Sequence, residues 1–189
     1  MKISEEIEFK CAIPEDKYNE LIKEFKLENN IFVQKNYYFD TDNLDLIKRK
    51  IVLRIRQKSE KYYKVTLKSE GGENLNFEKH ILLQEDEAKE MISKGFRTIN
   101  RFPEIDYFVS LKATLNNSRV TVPHEVGTLF FDKCEYSNKV DYEVEYEVDD
   151  YITGKKVFEK FLRIRNIPEC PTKRKSVRAL EAVTSNIIG

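Results

Sequence analysis

One stretch of the sequence, residues 48–68, carries basic side chains at the two-residue spacing of a β-strand. Nine lysines and arginines stand there against a single acid. Arg54 and Arg56 alternate with Leu53 and Ile55, which places both guanidinium groups on one face of a strand. Cationic side chains at fixed spacing suit an anion with several oxygens, and phosphate is the usual one.

Residues 132–150 show the opposite charge, with eight acids against two lysines. Glu143 and Glu145 share one face of a predicted strand, and Glu6 and Glu8 share a face near the N-terminus. Carboxylates held close together bind a hard cation, so oxygen ligands of this kind indicate Mg²⁺ or Mn²⁺ rather than zinc.

Side chains two residues apart on a strand stand about 6.7 Å apart on the same side. Like charges at that spacing repel, and a solvent-exposed face normally mixes signs. A sheet with one face in water shows the same alternation without any function, and that interpretation stays open. If the charged faces instead turn inward, a polyphosphate with a divalent metal would satisfy both charges. Three predicted strands carry such same-sign pairs: Glu6/Glu8, Arg54/Arg56 and Glu143/Glu145.

Several classes of protein are excluded or disfavoured. His80 and His124 are the only histidines, which excludes a three-histidine zinc site and an HExxH metalloprotease. There is no P-loop and no GxGxxG motif. Equal numbers of basic and acidic residues, 33 of each, argue against a nucleic-acid partner. The longest uncharged stretch, residues 182–189, is too short to cross a membrane. Because no secretory signal is visible and the three cysteines form no CxxC pair, we expect a cytoplasmic protein with reduced thiols.

The elements that position these side chains are mostly short strands with short connections, which favour antiparallel pairing and closure into a barrel. We expect one α+β domain over residues 1–189. The predicted strands cover about 3–12, 31–40, 50–58, 61–69, 74–83, 107–115, 118–123, 127–133 and 139–148. The predicted helices cover about 14–25, 85–94 and 150–165, with a last one from about Lys173.

The same residues resemble the CYTH domain family, also called the triphosphate tunnel metalloenzymes. The ExExK signature of that family matches residues 6–10, at the extreme N-terminus. The likeness spans nearly the whole chain and is carried in order by Tyr38-Phe39-Asp40-Thr41, Leu53-Arg54-Ile55-Arg56, Val65-Thr66-Leu67-Lys68, Arg119, Asp132, Asp141-Tyr142-Glu143-Val144-Glu145, and the basic residues Lys173, Lys175 and Arg178.

This resemblance implies a closed eight-stranded antiparallel barrel with helices outside, lined with charge and threaded by a triphosphate. It implies cationic residues that hold the triphosphate: Lys10, Arg54, Arg56, Lys68 and Arg119, with Lys64, Lys175 and Arg178 as weaker candidates. It implies carboxylates that bind Mg²⁺ or Mn²⁺: Glu6, Glu8, Glu78, Asp132, Glu143 and Glu145. Glu6, Glu8, Lys10 and Glu145 would act in catalysis. One departure is His80, which stands where family members often have a second carboxylate.

The activity implied is metal-dependent hydrolysis of a small triphosphate: inorganic triphosphate, thiamine triphosphate or a nucleoside triphosphate. The alternatives are a class IV adenylyl cyclase, which makes cyclic AMP from ATP in the same pocket, and a protein that binds polyphosphate or nucleotide without turnover. Neither the physiological substrate nor the oligomeric state is indicated by the sequence.

Overall fold

A computed structural model describes residues 2–188, with side chains described for residues 3–184. The strands are β1 (Lys2–Ile13), β2 (Phe32–Asp40), β3 (Ile51–Ser59), β4 (Tyr62–Glu70), β5 (Leu75–Leu83), β6 (Phe96–Arg97), β7 (Phe108–His124), β8 (Gly127–Tyr136) and β9 (Lys139–Val148). The helices are α1 (Glu15–Glu24), α2 (Asp45–Lys48), α3 (Glu85–Lys94), α4 (Tyr151–Ile164) and α5 (Lys175–Ile188), with a 3₁₀ turn at Thr98–Asn100.

Eight strands form a closed antiparallel barrel in the order β2-β3-β4-β5-β1-β9-β8-β7. Pairing of β2 with β7 closes it, and β6 only adds a two-residue ladder to β7. Closure leaves the eight barrel strands without a free edge, so their backbone groups are paired around the ring. The predicted α+β class and the eight-stranded antiparallel barrel are confirmed.

The outer face of the barrel is apolar and is covered by helices on two sides. Helices α1 and α4 cover β1, β8 and β9, and α3 covers β3 and β4. Gly154 lets α4 approach closely, because a Cβ atom there would stand 2.5 Å from a methyl group of Val148. With the apolar residues of each strand facing outward, the alternating charged residues must face the interior.

Helix α5 lies across one end of the barrel. Its Ala179 and Leu180 pack with Tyr38, Leu115 and Tyr136, which stand on the inner face of β2, β7 and β8. That end is therefore filled by side chains of α5, and the charged interior opens toward the other end.

The predicted separation of two strands at 107–115 and 118–123 is wrong, because β7 runs without a break through Asn116-Asn117-Ser118. These residues favour turns in isolation. Here they pair on both sides, Asn117 with Gln34 of β2 and with Cys134 of β8, and two complete ladders outweigh local propensity.

The short helix α2 is absent from the predicted elements. The buried Asp40 carboxylate begins it, accepting backbone hydrogen bonds from Leu46 at 2.9 Å and Ile47 at 3.0 Å. A carboxylate at a helix N-terminus satisfies amides that have no partner within the helix. Among the described residues, no helix combines the length and the apolar character that crossing a membrane would demand.

Candidate functional site

The barrel encloses one large charged cavity of about 390 Å³. The same-sign pairs Glu6/Glu8 and Arg54/Arg56 both line it, as does Glu145. The predicted site residues on its wall are Glu6, Glu8, Lys10, Arg54, Arg56, Lys64, Lys68, Glu78, Arg119, Glu145 and Lys175. The interpretation of a solvated outer face is therefore wrong, and these strands turn their charges inward.

Three further predicted residues lie behind the cavity wall rather than on it. Asp132 and Glu143 are buried on the inner faces of β8 and β9, and Arg178 of α5 contacts Glu143. Arg178 also donates to Asp141 at 3.0 Å. This group ties α5 to the barrel interior and does not reach the open space of the cavity.

The cationic side of the cavity comes from β3 and β4, and we call Arg54, Arg56, Lys58 and Lys64 the cationic wall. None of the four forms an ion pair with a carboxylate of the described residues. Arg56 donates from Nε to the Asn36 amide oxygen at 2.9 Å, while Nε of Arg54 is buried without a hydrogen-bond partner.

The electrostatic consequence is visible in the basic groups of this wall. Burial, together with Arg54 and Arg119, lowers the pKa of Arg56 to about 9. Burial, together with Arg54 and Arg56, lowers the pKa of Lys64 to about 8. Both shifts mean that positive charge here lacks a counter-ion, which a multiply charged anion would supply.

The opposite side of the cavity comes from β1 and β9, and we call Glu6, Glu8, Glu145 and Glu147 the acidic wall. Burial and the neighbouring Glu8 raise the pKa of Glu145 to about 8. Burial and the nearby Glu6 and Glu8 raise the pKa of Glu147 to about 7. For these two carboxylates burial outweighs the attraction of nearby cations, so a further bound cation would favour their ionised forms.

Glu8 differs from its neighbours on that wall. Burial opposes its ionisation, but Lys10 and Lys68 together hold its pKa well below the usual range. Lys10 contacts Glu8 directly and stands 3.9 Å from Oε1 of Glu145. Lys10 therefore faces both strands of the acidic wall and orients the Glu8 carboxylate.

Two lysines each lie at the centre of a cluster of three carboxylates. Lys68 contacts Glu6 and has its Nζ 3.3 Å from Glu8 and 3.1 Å from Glu78. Lys175 of α5 contacts Glu143, with Nζ 2.9 Å from Asp132 and 2.6 Å from Glu145. Each ammonium offsets the negative charge of carboxylates that would otherwise repel one another.

Asp132, Glu143 and Glu145 each offer an oxygen within 4.8 Å of the others. Every donor in this cluster and on the acidic wall is a carboxylate oxygen, which is the ligand type of hard divalent cations. Burial is the first cause of the raised pKa values of Glu145 and Glu147, and a bound cation would offset it by favouring the ionised carboxylates. The residues present therefore fit a divalent metal.

Arg119 joins the two sides of the site. It donates from Nε to Asp132 at 2.7 Å and from Nη2 to the other oxygen of the same carboxylate at 2.5 Å, and it also contacts Glu145. Its guanidinium carbon stands 4.2 Å from the ring centroid of Phe130. A bidentate pair of this kind fixes the arginine in place at the cavity wall.

His80 lies beside Glu78, with Nε2 3.2 Å from the carboxylate, and its Nδ1 is 3.1 Å from the Thr66 hydroxyl. It therefore contacts the neighbouring acid on the same strand. Four acidic or basic residues of the cavity lining are absent from the predicted set: Glu5, Lys58, Glu147 and Arg174. The two-residue spacing could have identified Lys58, which continues the series of Arg54 and Arg56. It could likewise have identified Glu147, which continues the series of Glu143 and Glu145. Arg174 precedes α5, and no periodic pattern marks it.

Comparison with known proteins agrees with this geometry. The family model for the CYTH domain matches residues 4–180. A Bacillus subtilis protein named "Putative triphosphatase YjbK" is 34% identical over 191 residues, covering 96% of this chain and 97% of the relative.

Solved structures show the same fold. A Bacillus halodurans protein described as a "putative adenylate cyclase" is 27% identical with a TM-score of 0.85, covering 94% of this chain and 98% of that one. A Hippeastrum protein described as a "putative adenylyl cyclase" with a dominant triphosphatase activity is 22% identical with a TM-score of 0.74, covering 94% and 95% of the two chains. The second likeness concerns the fold alone. With a family match over nearly all of its length, this chain belongs to the CYTH domain family.

Proposed function

We propose that this protein is an enzyme that hydrolyses the terminal phosphoanhydride bond of a small triphosphate inside the barrel. The observation that carries this proposal is the opposition of two charges across one cavity: the cationic wall of β3 and β4, which has no ion-pair partner among the described residues, and the acidic wall of β1 and β9, which is compensated only in part. A polyphosphate with a divalent cation satisfies both walls at once. The Bacillus subtilis relative, named as a triphosphatase, supports the same activity.

In this proposal the cationic wall grips the substrate. Arg54 and Arg56 can each bind two phosphate oxygens through their guanidinium groups, and Lys64 adds a point charge beside them. Arg119 and Lys10 approach from the acidic side of the cavity. Because these groups are held in place before substrate arrives, they stabilise the charge that develops on the leaving diphosphate without reorganising.

We propose Mg²⁺ or Mn²⁺ as the cofactor. Glu6, Glu8 and Glu145 are our first choice as ligands because they face the cavity, with Glu78 beside them. Asp132 and Glu143 belong to the same acidic cluster around Lys175 and are the second choice. When bound, the ion would offset phosphate charge and lower the pKa of a water for in-line attack.

The test is a phosphate-release panel with inorganic triphosphate, thiamine triphosphate and ATP, each with Mg²⁺ or Mn²⁺. Glu8→Gln and Glu145→Gln each replace one proposed metal-binding carboxylate of the acidic wall with an amide, and we expect each to lower kcat/KM at least about 100-fold. Glu135→Gln is the matched control, because Glu135 stands on β8 with its side chain paired to Lys133 outside the cavity. Full activity in folded Glu8→Gln and Glu145→Gln would reject this site.

The adenylyl cyclase alternative is favoured by one observation, the description of the Bacillus halodurans structure. The ATP reaction separates the two activities, since a cyclase releases cyclic AMP and diphosphate whereas a triphosphatase releases ADP and phosphate. A protein that only binds polyphosphate would be stabilised by the anion and release no product. The acidic wall argues against that last alternative, because it weakens pure anion binding.

We also propose that residues 1–189 act as one domain on a small-molecule substrate, without a nucleic-acid or membrane partner. A cytoplasmic location is supported by three free thiols, of which Cys170 is exposed.

A further inference from the structure

Large apolar side chains surround the open end of the barrel on its inner face. Phe32 continues the inner series of β2 that includes Tyr38, and Leu82 continues the inner series of β5 that includes Glu78. Tyr62 likewise continues the series of Lys64 on β4. We call Phe32, Tyr62, Leu82 and Phe130 the apolar rim. The first three are exposed by 39%, 40% and 66%, and Phe130 lines the cavity itself.

Each rim residue adjoins a cation of the cavity. Phe32 pairs in register with Arg119, and Leu82 pairs with Lys64. The ammonium of Lys58 stands 6.0 Å from the ring centroid of Tyr62, and Arg119 covers one face of Phe130. The rim is therefore continuous with the proposed phosphate site and lies just outside it.

This arrangement matters because α5 fills the other end of the barrel. A triphosphate held by Arg54 and Arg56 has to project any organic substituent toward the open end, where the rim stands. Exposed aromatic rings offer their faces to a planar base, and stacking of that kind tolerates any of the common bases.

The positive charge beside the rim also favours some organic substituents of the triphosphate over others. Burial and the neighbouring arginines lower the pKa of both Lys58 and Lys64, so positive charge is already in excess beside Tyr62 and Leu82. The thiazolium ring of thiamine triphosphate is cationic and would add to that excess, whereas the base of a nucleoside triphosphate is neutral.

We propose that the substrate is a nucleoside 5′-triphosphate whose base lies against the apolar rim, with Phe32 and Tyr62 as its specificity-determining residues. This inference rests on the proposed function. Water attacks the terminal phosphorus, the bond from that phosphorus to the β–γ bridging oxygen breaks, and nucleoside diphosphate, phosphate and a proton leave.

Phe32→Ala and Tyr62→Ala test this inference, with KM measured for ATP and for inorganic triphosphate under the same metal. Loss of one stacking ring should raise KM for ATP about tenfold. KM for inorganic triphosphate should change less than about twofold, because it has no base to stack. Phe32→Tyr should restore the ATP value, since it keeps the aromatic face. Val33→Ala is the matched control, because Val33 is 59% exposed on the opposite face of the same strand.

An equal rise in KM for both substrates would overturn the inference, because it would show a general role of the rim in the barrel. No change for either substrate would overturn it as well. If the unaltered protein hydrolyses neither substrate, the proposed function fails and the rim is tested by binding alone. In calorimetry without metal, ATP should then bind more tightly than inorganic triphosphate, and Phe32→Ala should remove that difference; equal affinities would reject the rim.

Discussion

The two walls of the cavity differ in how their charges are balanced. The acidic wall has lysines of its own chain among its carboxylates, with Lys68 and Lys175 each in contact with three acids. The cationic wall has no ion-pair partner among the described residues, and Arg56 donates instead to the amide oxygen of Asn36. The barrel thus compensates its acidic wall in part from within, and leaves its cationic wall for an anion supplied from outside.

The difference predicts opposite consequences for removing a charge from each side. Substitutions that remove the lysine at the centre of a carboxylate cluster should mainly lower the stability of the protein. Substitutions on the cationic wall should mainly cost activity, because its charges repel one another in the empty protein.

The largest expected effect is on stability. Lys175→Met leaves Asp132, Glu143 and Glu145 without their shared ammonium, and we expect the free energy of unfolding to fall by about 3–5 kcal/mol. Lys173→Met is the control, since its exposed pair with Glu181 should be worth about 1 kcal/mol or less. Urea unfolding measures both variants. Equal stability of the two would show that α5 does not compensate the acidic cluster.

The second effect is on activity. Arg56→Ala should lower kcat/KM about 100-fold, because it removes a fixed donor from the proposed phosphate site. Lys35→Ala on the neighbouring strand removes an exposed charge and should leave the kinetics unchanged. Steady-state phosphate release measures both variants. If Arg56→Ala lost stability while keeping its kinetics, the cationic wall would be structural.

The smallest effect is a pH dependence of opposite sign for the two walls, measured by urea unfolding with a metal chelator present. Burial beside Glu6 and Glu8 raises the pKa of Glu147 to about 7, so the folded state holds its proton more tightly than the unfolded chain. The unfolding free energy should therefore fall as pH rises from about 4.5 through 7. Glu147→Gln should remove this loss, by about 1 kcal/mol after solvent screening.

Lys64→Met provides the counterpart. The folded pKa of Lys64 is lowered to about 8, first by burial, so its charge destabilises the protein below that pH and ceases to do so as pH rises toward 10.5. The variant should therefore be more stable than the unaltered protein at pH 7, and the difference should shrink by pH 10. A difference that grows with pH would mean that Lys64 has a carboxylate partner.

Much of the barrel was predictable because each strand keeps its two-residue period: Leu53 and Ile55 face the outer core while Arg54 and Arg56 face the cavity. Lys64 and Lys68 both fall on inward-facing positions of β4, so the two-residue period alone does not distinguish their roles. Their neighbours distinguish them, since Lys68 lies among carboxylates and Lys64 among arginines. Neighbours across a barrel depend on strand order, which local spacing does not contain.

Two other features depended on long-range pairing or on a single hydrogen-bonding group. The continuity of β7 through Asn117 comes from ladders with β2 and β8, each distant in sequence. Helix α2 is four residues long and begins at the Asp40 carboxylate, so it has no periodic pattern to detect. Glu147 lies on the same face of β9 as Glu143 and Glu145, so the two-residue period was sufficient to predict that it faces the cavity.

The position of β1 sets the order in which the barrel can be assembled. It pairs with β5 through residues 2–7 and with β9 through residues 7–13, although it precedes both in the chain. The acidic wall is therefore incomplete without β9, and Lys175 follows β9 in the sequence. Residues 1–138 lack one of the eight barrel strands, so the charged cavity depends on pairing between the first and the last strand of the barrel.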